Sequence, residues 1–140
     1  MKKQLEKTKA VESIYSRVRE ILETARSSAY RAVNFAMVQA YWHIGREIAG
    51  EEQKGKTRAA YGEYLLINLS ERLTKDLGRG FDYSNLKNMR QFYLTFPIGD
   101  ALRSQLSWTH YRLLMRIERK AARSFYIEEC IACNWSTREL

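Results

Sequence analysis

The sequence predicts an all-α fold, a helical domain with a long N-terminal helix and a helix-turn-helix-like core. Three observations support this prediction. Apolar residues recur every three or four positions along most of the chain, which is the spacing of one helix face. Glycine and proline are scarce, with seven and one among 140 residues. No segment of strand length alternates apolar and polar residues convincingly.

The length and composition favour one domain with its own hydrophobic core. Hydrophobic residues make up 45% of the chain and aromatic residues 12%, which is enough apolar surface for a core of this size. We therefore expect residues 1–140 to form a single helical domain, with residues 1–8 disordered.

The first predicted helix covers residues 11–48. Its apolar residues keep one phase throughout, and neither glycine nor proline interrupts it before Gly45. A bend is expected near Ser27 and Ser28. Because such a helix is long for a globular domain, its apolar stripe packs either on another subunit or along the other helices of its own domain. The sequence leaves both possibilities open.

The second predicted helix follows a polar, glycine-containing loop at residues 51–56, with Thr57 as its N-cap. Its apolar residues run from Tyr61 to Leu77 at helical spacing, and Gly62 indicates a close contact with another helix. Gly78 comes directly after Leu77. Because glycine adopts the left-handed conformation at little cost, this position suits the C-terminal cap of the helix.

The third predicted helix begins at Asp82 or Ser84, either of which is a good N-cap, and ends before Pro97. Its buried stripe is expected to be Leu86, Met89, Phe92, Tyr93 and Phe96. Its other face is polar and basic, as in a DNA-reading helix, although such a face is more often merely solvated. The turn over residues 78–82 is longer than the usual three or four residues, so the motif would be a variant, and a winged type stays open.

The remaining chain predicts shorter helices after a connector at residues 98–106. Ser107 is expected to cap a helix over residues 108–118, and another helix covers residues 121–133, with Asn134 at its end. Residues 136–139 read Ser-Thr-Arg-Glu, which is the capping box that begins a helix, with a hydrophobic residue before it. We therefore expect this chain to be the front portion of a longer protein.

The charge favours a polyanionic partner. The formal net charge is +8, and residues 53–93 carry eight Lys or Arg against four Asp or Glu. No apolar segment is long enough to span a bilayer, and the basic start of the chain is not followed by the apolar stretch of a signal peptide. We expect a cytoplasmic protein without membrane contact.

The chain shows no set of residues that predicts chemistry. Cys130 and Cys133 form a CxxC, but a structural zinc site needs four ligands, and His43 and His110 stand in distant helical segments. No Ser/His/Asp set, P-loop or GxGxxG is present. We therefore expect no catalytic residue, no cofactor and no metal site in this chain.

Several motifs in sequence order resemble the YhcG-like family of bacterial proteins. They lie at residues 41–46, 80–93, 106–114 and 135–140, and the resemblance runs from about residue 14 to the last residue. It implies an N-terminal helical domain thought to bind DNA, ahead of a C-terminal nuclease domain of the PD-(D/E)XK type. That nuclease motif would lie beyond Leu140, so the chain resembles the non-catalytic half.

We therefore expect a DNA-binding and targeting module whose partners are DNA and its own C-terminal nuclease domain. The expected nucleic-acid-binding residues are Lys75, Arg79, Ser84, Asn85, Lys87, Asn88, Arg90 and Gln91. Lys75 and Arg79 would contact phosphates, and the others would enter or border the major groove. The alternative is an oligomerisation or protein-interaction domain that acts through the long N-terminal helix, for example as a homodimer.

Overall fold

The computed structural model describes residues 1–54 and 58–140, and within them it contains helices and no strand. This confirms the predicted all-α class and the long N-terminal helix. Because no strand occurs in the described residues, they lack the β-hairpin of a winged motif. No helix among them has the length and apolar content needed to cross a membrane. The helices are α1 (Lys2–Glu52), α2 (Arg58–Leu77), α3 (Tyr83–Thr95), α4 (Trp108–Leu114) and α5 (Lys120–Ala132), with a 3-10 turn at Gly99–Ala101.

The chain forms two compact units, residues 1–33 and residues 34–140. The sequence predicted one domain over the whole chain, whereas the buried core residues all belong to the second unit. The first unit is the N-terminal part of α1, and all its side chains are exposed. Residues 2–8, which were expected to be disordered, are helical, since Lys, Gln, Leu and Glu are good helix formers.

The core of the second unit consists of two clusters that meet at α3. The first cluster includes Val38, Trp42 and Phe92, and the second includes Leu86 and Met89. Helices α1 and α3 both contribute buried side chains to the two clusters, so they form the centre of this unit. The three fully buried side chains of α3 are those that the apolar spacing predicted.

A glycine sets the distance between α1 and α3. A Cβ on Gly45 would overlap the backbone carbonyl of Met89 and come within 3.2 Å of the Tyr93 Cβ. Only a residue without a side chain therefore allows the two backbones to approach this closely.

Trp42 joins the same two helices at the C-terminal end of α3. Its indole Nε1 donates a hydrogen bond of 2.6 Å to the carbonyl of Phe96, the C-cap residue of α3. The carbonyls in the last turn of a helix have no partner within the helix. The bond therefore satisfies a buried indole N–H and an orphan carbonyl together.

The start of α4 follows the predicted cap, but its end does not. Ser107 accepts a hydrogen bond from the His110 backbone N–H, and His110 Nδ1 accepts one from the Ser107 backbone N–H. The helix ends at Leu114 rather than at residue 118. The carbonyl of Ile117 instead accepts a hydrogen bond of 2.8 Å from Arg123 Nη1 of α5, six residues further along the chain, a contact that apolar periodicity does not predict.

The C-terminal segment has the predicted cap at the end of α5 and part of the predicted capping box. Asn134 has a φ of 51°, and the Trp135 N–H donates to the carbonyl of Cys130 at 2.9 Å, which is the Schellman pattern. In the following turn Glu139 Oε1 accepts a hydrogen bond of 3.2 Å from the Ser136 backbone N–H. This is one half of the predicted capping box.

The predicted loop at residues 51–56 is partly replaced by helix. Helix α1 continues through Glu52, and residues 53 and 54 form a turn. The rest of that loop and the proposed cap Thr57 lie outside the described residues. At the end of α1, Glu51 accepts a hydrogen bond of 3.2 Å from Tyr61 Oη, and this bond is the main cause of the raised pKa of Tyr61.

The Gly45 contact yields a test of packing. We expect Gly45→Ala to lower the free energy of unfolding by about 1–3 kcal/mol, because the methyl group forces the two backbones apart. Gly50→Ala is the matched control in the same helix, since nothing lies within 4 Å of its added Cβ. It should be neutral or raise stability by up to ~1 kcal/mol through helix propensity. Urea unfolding followed by circular dichroism compares the two, and equal effects would contradict the close contact.

Tyr111 yields a test of pH dependence. Burial raises the pKa of Tyr111 above its ordinary value of 10.0, so the folded state favours the neutral phenol. The resulting stability should be fully present below pH 10 and fall as the pH rises through the folded pKa. Urea unfolding across this range measures it. In Tyr111→Phe the alkaline loss should be smaller, although the variant also loses the oxygen that accepts the Arg103 N–H at 2.7 Å. An unchanged alkaline loss would refute this assignment.

Candidate nucleic-acid interface

The turn between α2 and α3 begins with the predicted glycine. Gly78 has a φ of +88° and Gly80 a φ of +103°, which is the left-handed region that glycine adopts without strain. The Gly78 N–H donates to the carbonyl of Thr74 at 2.9 Å. The connection covers the five residues between Leu77 and Tyr83 and reverses the chain so that α3 follows directly.

Asp82 is the N-cap of α3, which decides between the two candidates that the sequence offered. Its side chain accepts a hydrogen bond of 2.9 Å from the Asn85 backbone N–H. Since a carboxylate at this position also interacts favourably with the helix dipole, the charge of Asp82 has a local role in starting the helix.

Asn85 joins the turn to α4. Its Nδ2 donates to the carbonyl of Gly80, and its Oδ1 accepts a hydrogen bond of 3.3 Å from Trp108 Nε1. The side chain is half-buried, and both ends of its amide have partners within the protein. Asn85 therefore fixes the position of the turn against α4.

Side chains from the turn, α3 and α4 line a single cleft with a volume of about 500 Å³. The Arg79 side chain comes from the turn and the Arg112 side chain from α4, and both are exposed. Ser84 and Asn88 come from adjacent turns of α3. The cleft therefore combines two guanidinium groups with two hydroxyls, two amides and one carboxylate. The full lining is Thr74, Arg79, Gly80, Asp82, Ser84, Asn85, Asn88, Trp108 and Arg112.

Arg90 is held elsewhere, in an ion pair with the last residue of α1. Its Nη1 lies 2.9 Å from Glu52 Oε1, and the two side chains are 24% and 19% exposed. The Glu52 side chain also packs on Gly62 of α2, where an added Cβ would come within 3.2 Å of Glu52 Cδ. Glu52 thus links α1, α2 and α3. Its contact with α2 is at Gly62, where the sequence predicted a close contact with another helix.

The other predicted contact residues are exposed but lie outside the cleft. Lys87 Nζ lies 5.6 Å from the centre of the Tyr83 ring, a cation–π distance. Gln91 Nε2 donates to Thr95 Oγ1 at 3.1 Å. Lys75 is in the last turn of α2. The structure therefore brings together Arg79, Ser84, Asn85 and Asn88, and it does not bring Arg90 to them.

Arg112 and Trp108 were not predicted as site residues from the sequence. They are four residues apart and therefore share one face of α4. Both lie in the segment of residues 106–114 that carries part of the family resemblance. The available signal was a basic residue, Arg112, one helical turn after Trp108, which directly follows the N-cap Ser107. That Arg112 lies near Arg79 depends on how α4 packs.

The CxxC gives no sign of a metal centre. Cys130 is buried, and burial raises the pKa of its thiol. Cys133 is exposed, and its Sγ lies 3.8 Å from Glu129 Oε2. Within residues 1–54 and 58–140, no three His, Cys, Asp or Glu side chains are grouped so that they could hold a metal ion.

Comparison with known proteins gives two matches that cover most of the chain. A family model described as the DUF1016 N-terminal domain matches residues 17–140. The chain is also similar to a protein of Escherichia coli (strain K12) named "Putative nuclease YhcG", with 32% identity over 165 aligned positions. That match covers 95% of this chain and 44% of the relative, so the chain spans less than half of the relative's length. No solved structure matches the chain significantly.

The ion pair of Arg90 yields a test of its role. In a double-mutant cycle of Arg90→Ala and Glu52→Ala, we expect a coupling energy of up to about 1 kcal/mol in urea unfolding. The control is the pair Arg103 and Glu128, which has the same N···O distance of 2.9 Å but side chains that are 40% and 65% exposed. Its coupling should be smaller because water screens it. A coupling near zero for Arg90 and Glu52 would show that the pair does not hold the helices together.

Proposed function

The chain belongs to the DUF1016 N-terminal domain family, as part of a YhcG-like protein, and on this basis we propose that it is a DNA-binding module. The observation that supports the proposal best is the cleft that Arg79 and Arg112 line from two different elements. DNA presents phosphates along its whole length. A surface with two exposed guanidinium groups beside a polar helix face suits such a ligand.

The chemistry of the cleft fits a phosphate of the DNA backbone. A guanidinium group donates two parallel hydrogen bonds to phosphate oxygens, which gives it both charge and orientation. Ser84 and Asn88 add neutral donors beside the two arginines. Asp82 carries the opposite charge in the same lining, where its carboxylate accepts the Asn85 N–H at the start of α3, so the cleft has one negative charge against two positive charges.

The exposed face of α3 extends this surface beyond the cleft. Lys87 and Gln91 are exposed and lie one helical turn apart, so they can contact base edges or further phosphates. Arg90 and Asn85 have another role in this proposal. Arg90 anchors α3 to α1, and Asn85 holds the turn against α4.

The proposal assigns targeting to this chain and catalysis to another part of the protein. The relative's name describes a nuclease, and this chain spans less than half of the relative's length. We therefore propose that the catalytic residues belong to a nuclease domain that this module brings to its substrate. We propose that the protein acts in the cytoplasm, where bacterial DNA lies.

The two arginines of the cleft provide the test. We expect Arg79→Ala with Arg112→Ala to weaken binding to a labelled DNA duplex at least tenfold at low salt, measured by fluorescence anisotropy. Between about 50 and 200 mM salt, the slope of log K against log[salt] should also be smaller in magnitude by about two, since two phosphate contacts are lost. Arg138→Ala, an exposed arginine outside the cleft, is the matched control. If the double variant and the control bind equally, the cleft does not bind DNA.

A further inference from the structure

The first unit of the chain exposes an apolar stripe along α1. Its six largest apolar side chains between residues 11 and 22 are 47–67% exposed, and α1 is helical throughout. They are Val11, Ile14, Tyr15, Val18, Ile21 and Leu22. A soluble protein rarely leaves so continuous an apolar patch uncovered, and such a patch marks an interaction surface.

The stripe repeats every seven residues. Its central column is Val11, Val18, Ala25 and Ala32. One flanking column is Ile14, Ile21 and Ser28, and the other is Tyr15, Leu22 and Ala29. A seven-residue apolar repeat keeps one face of a helix directed at a neighbouring helix that runs alongside it, as in a coiled coil.

The sizes of these side chains change along the stripe. Each column has large residues in the first half and small ones, Ala or Ser, in the second half. We propose that residues 11–32 of α1 pair with the same residues of a second copy of this chain in antiparallel orientation. The pair is centred between Ile21 and Leu22, so that the large half of each helix lies on the small half of the other.

Antiparallel pairing joins complementary side chains in all three columns. In the central column, Val11 meets Ala32 of the other copy and Val18 meets Ala25. In the flanking columns, Ile14 meets Ser28 and Tyr15 meets Ala29, while Ile21 and Leu22 at the centre each meet their own counterpart. Away from the centre each pair thus joins a larger side chain with Ala or Ser, and the bulkiest pairs lie at the two-fold axis, so the spacing between the helices is the same at both ends.

A parallel pair would fit poorly. It would place Val11 on Val11 and Ala32 on Ala32, so the helices would have to separate at one end and converge at the other. The antiparallel pair is also closed by a two-fold axis, the commonest symmetry of soluble oligomers. The stripe is therefore complementary to itself in the reversed direction, which favours a second copy over an unrelated partner.

The length of the stripe is sufficient for a stable contact. A helix of 22 residues is about 33 Å long, and two such faces side by side bury on the order of 1,200 Å² in total, at the lower end of specific interfaces.

The borders of the stripe carry mostly arginines, namely Arg17, Arg19, Arg26 and Arg31, with Arg19 Nε paired to Glu23 Oε1 at 2.8 Å. Because added salt screens like charges, association should strengthen with salt, opposite to the behaviour expected for DNA binding.

Disulfide crosslinking of the full 140-residue chain tests the pairing and its direction, in a background of Cys130→Ala and Cys133→Ser. We expect Leu22→Cys to form a covalent dimer under mild oxidation. Val11→Cys or Ala32→Cys alone should not, since each lies about 30 Å from its own counterpart. The double variant Val11→Cys with Ala32→Cys should crosslink. Glu20→Cys, on the opposite face, is the negative control. Efficient crosslinking of Val11→Cys alone, or none of Leu22→Cys, would overturn the proposal.

Analytical ultracentrifugation provides a second, non-covalent test. Ile21→Lys should weaken dimerisation at least tenfold, whereas Ser27→Lys adds the same charge on the opposite face of α1 and should change it little. Circular dichroism verifies that both variants stay helical. A chain that is monomeric at the highest soluble concentration, or equal effects of the two variants, would overturn the proposal. Neither measurement involves DNA, so the outcome is independent of the proposed function.

Discussion

The second unit depends on one close contact, in which the backbone of α1 at Gly45 lies directly on the backbone of α3 at Met89. Because no side chain separates the helices there, the α1 residues on the two sides of Gly45 pack into different clusters. Trp42, three residues before, belongs to the first cluster, and Ile48, three residues after, belongs to the second. The glycine therefore connects two small cores that each would be marginal alone.

This contact also determines which face of α3 is free. Met89 and Phe92 are buried against the rest of the unit, and Arg90 is held by the end of α1. The face with Ser84 and Asn88 then lines the cleft next to Arg112. Helix α3 thus provides both buried core side chains and part of the candidate interface.

The features that could be predicted from the sequence are those that depend on neighbours along the chain. The buried stripe of α3 follows from helical periodicity, and Gly78, Ser107 and Asn134 mark helix ends because caps are local structures. The pairing of Arg90 with Glu52, 38 residues away in the sequence, and the contact of Arg123 with the segment after α4 arise only when helices pack. For the same reason, the turn and α3 could be predicted from the sequence as part of the site, but the contribution of α4 to the cleft could not.

The hydrogen bond from Trp42 to Phe96 joins residues 54 positions apart, and this separation has a consequence during synthesis. The ribosome adds about 5–20 residues each second, so Trp42 leaves the ribosome roughly 3–10 seconds before its partner. Val38 and Ile48 likewise stay exposed until the helices that bury them have been synthesised. During that interval the apolar side chains of residues 38–48 are uncovered, so the nascent chain exposes surface that can aggregate or bind chaperones.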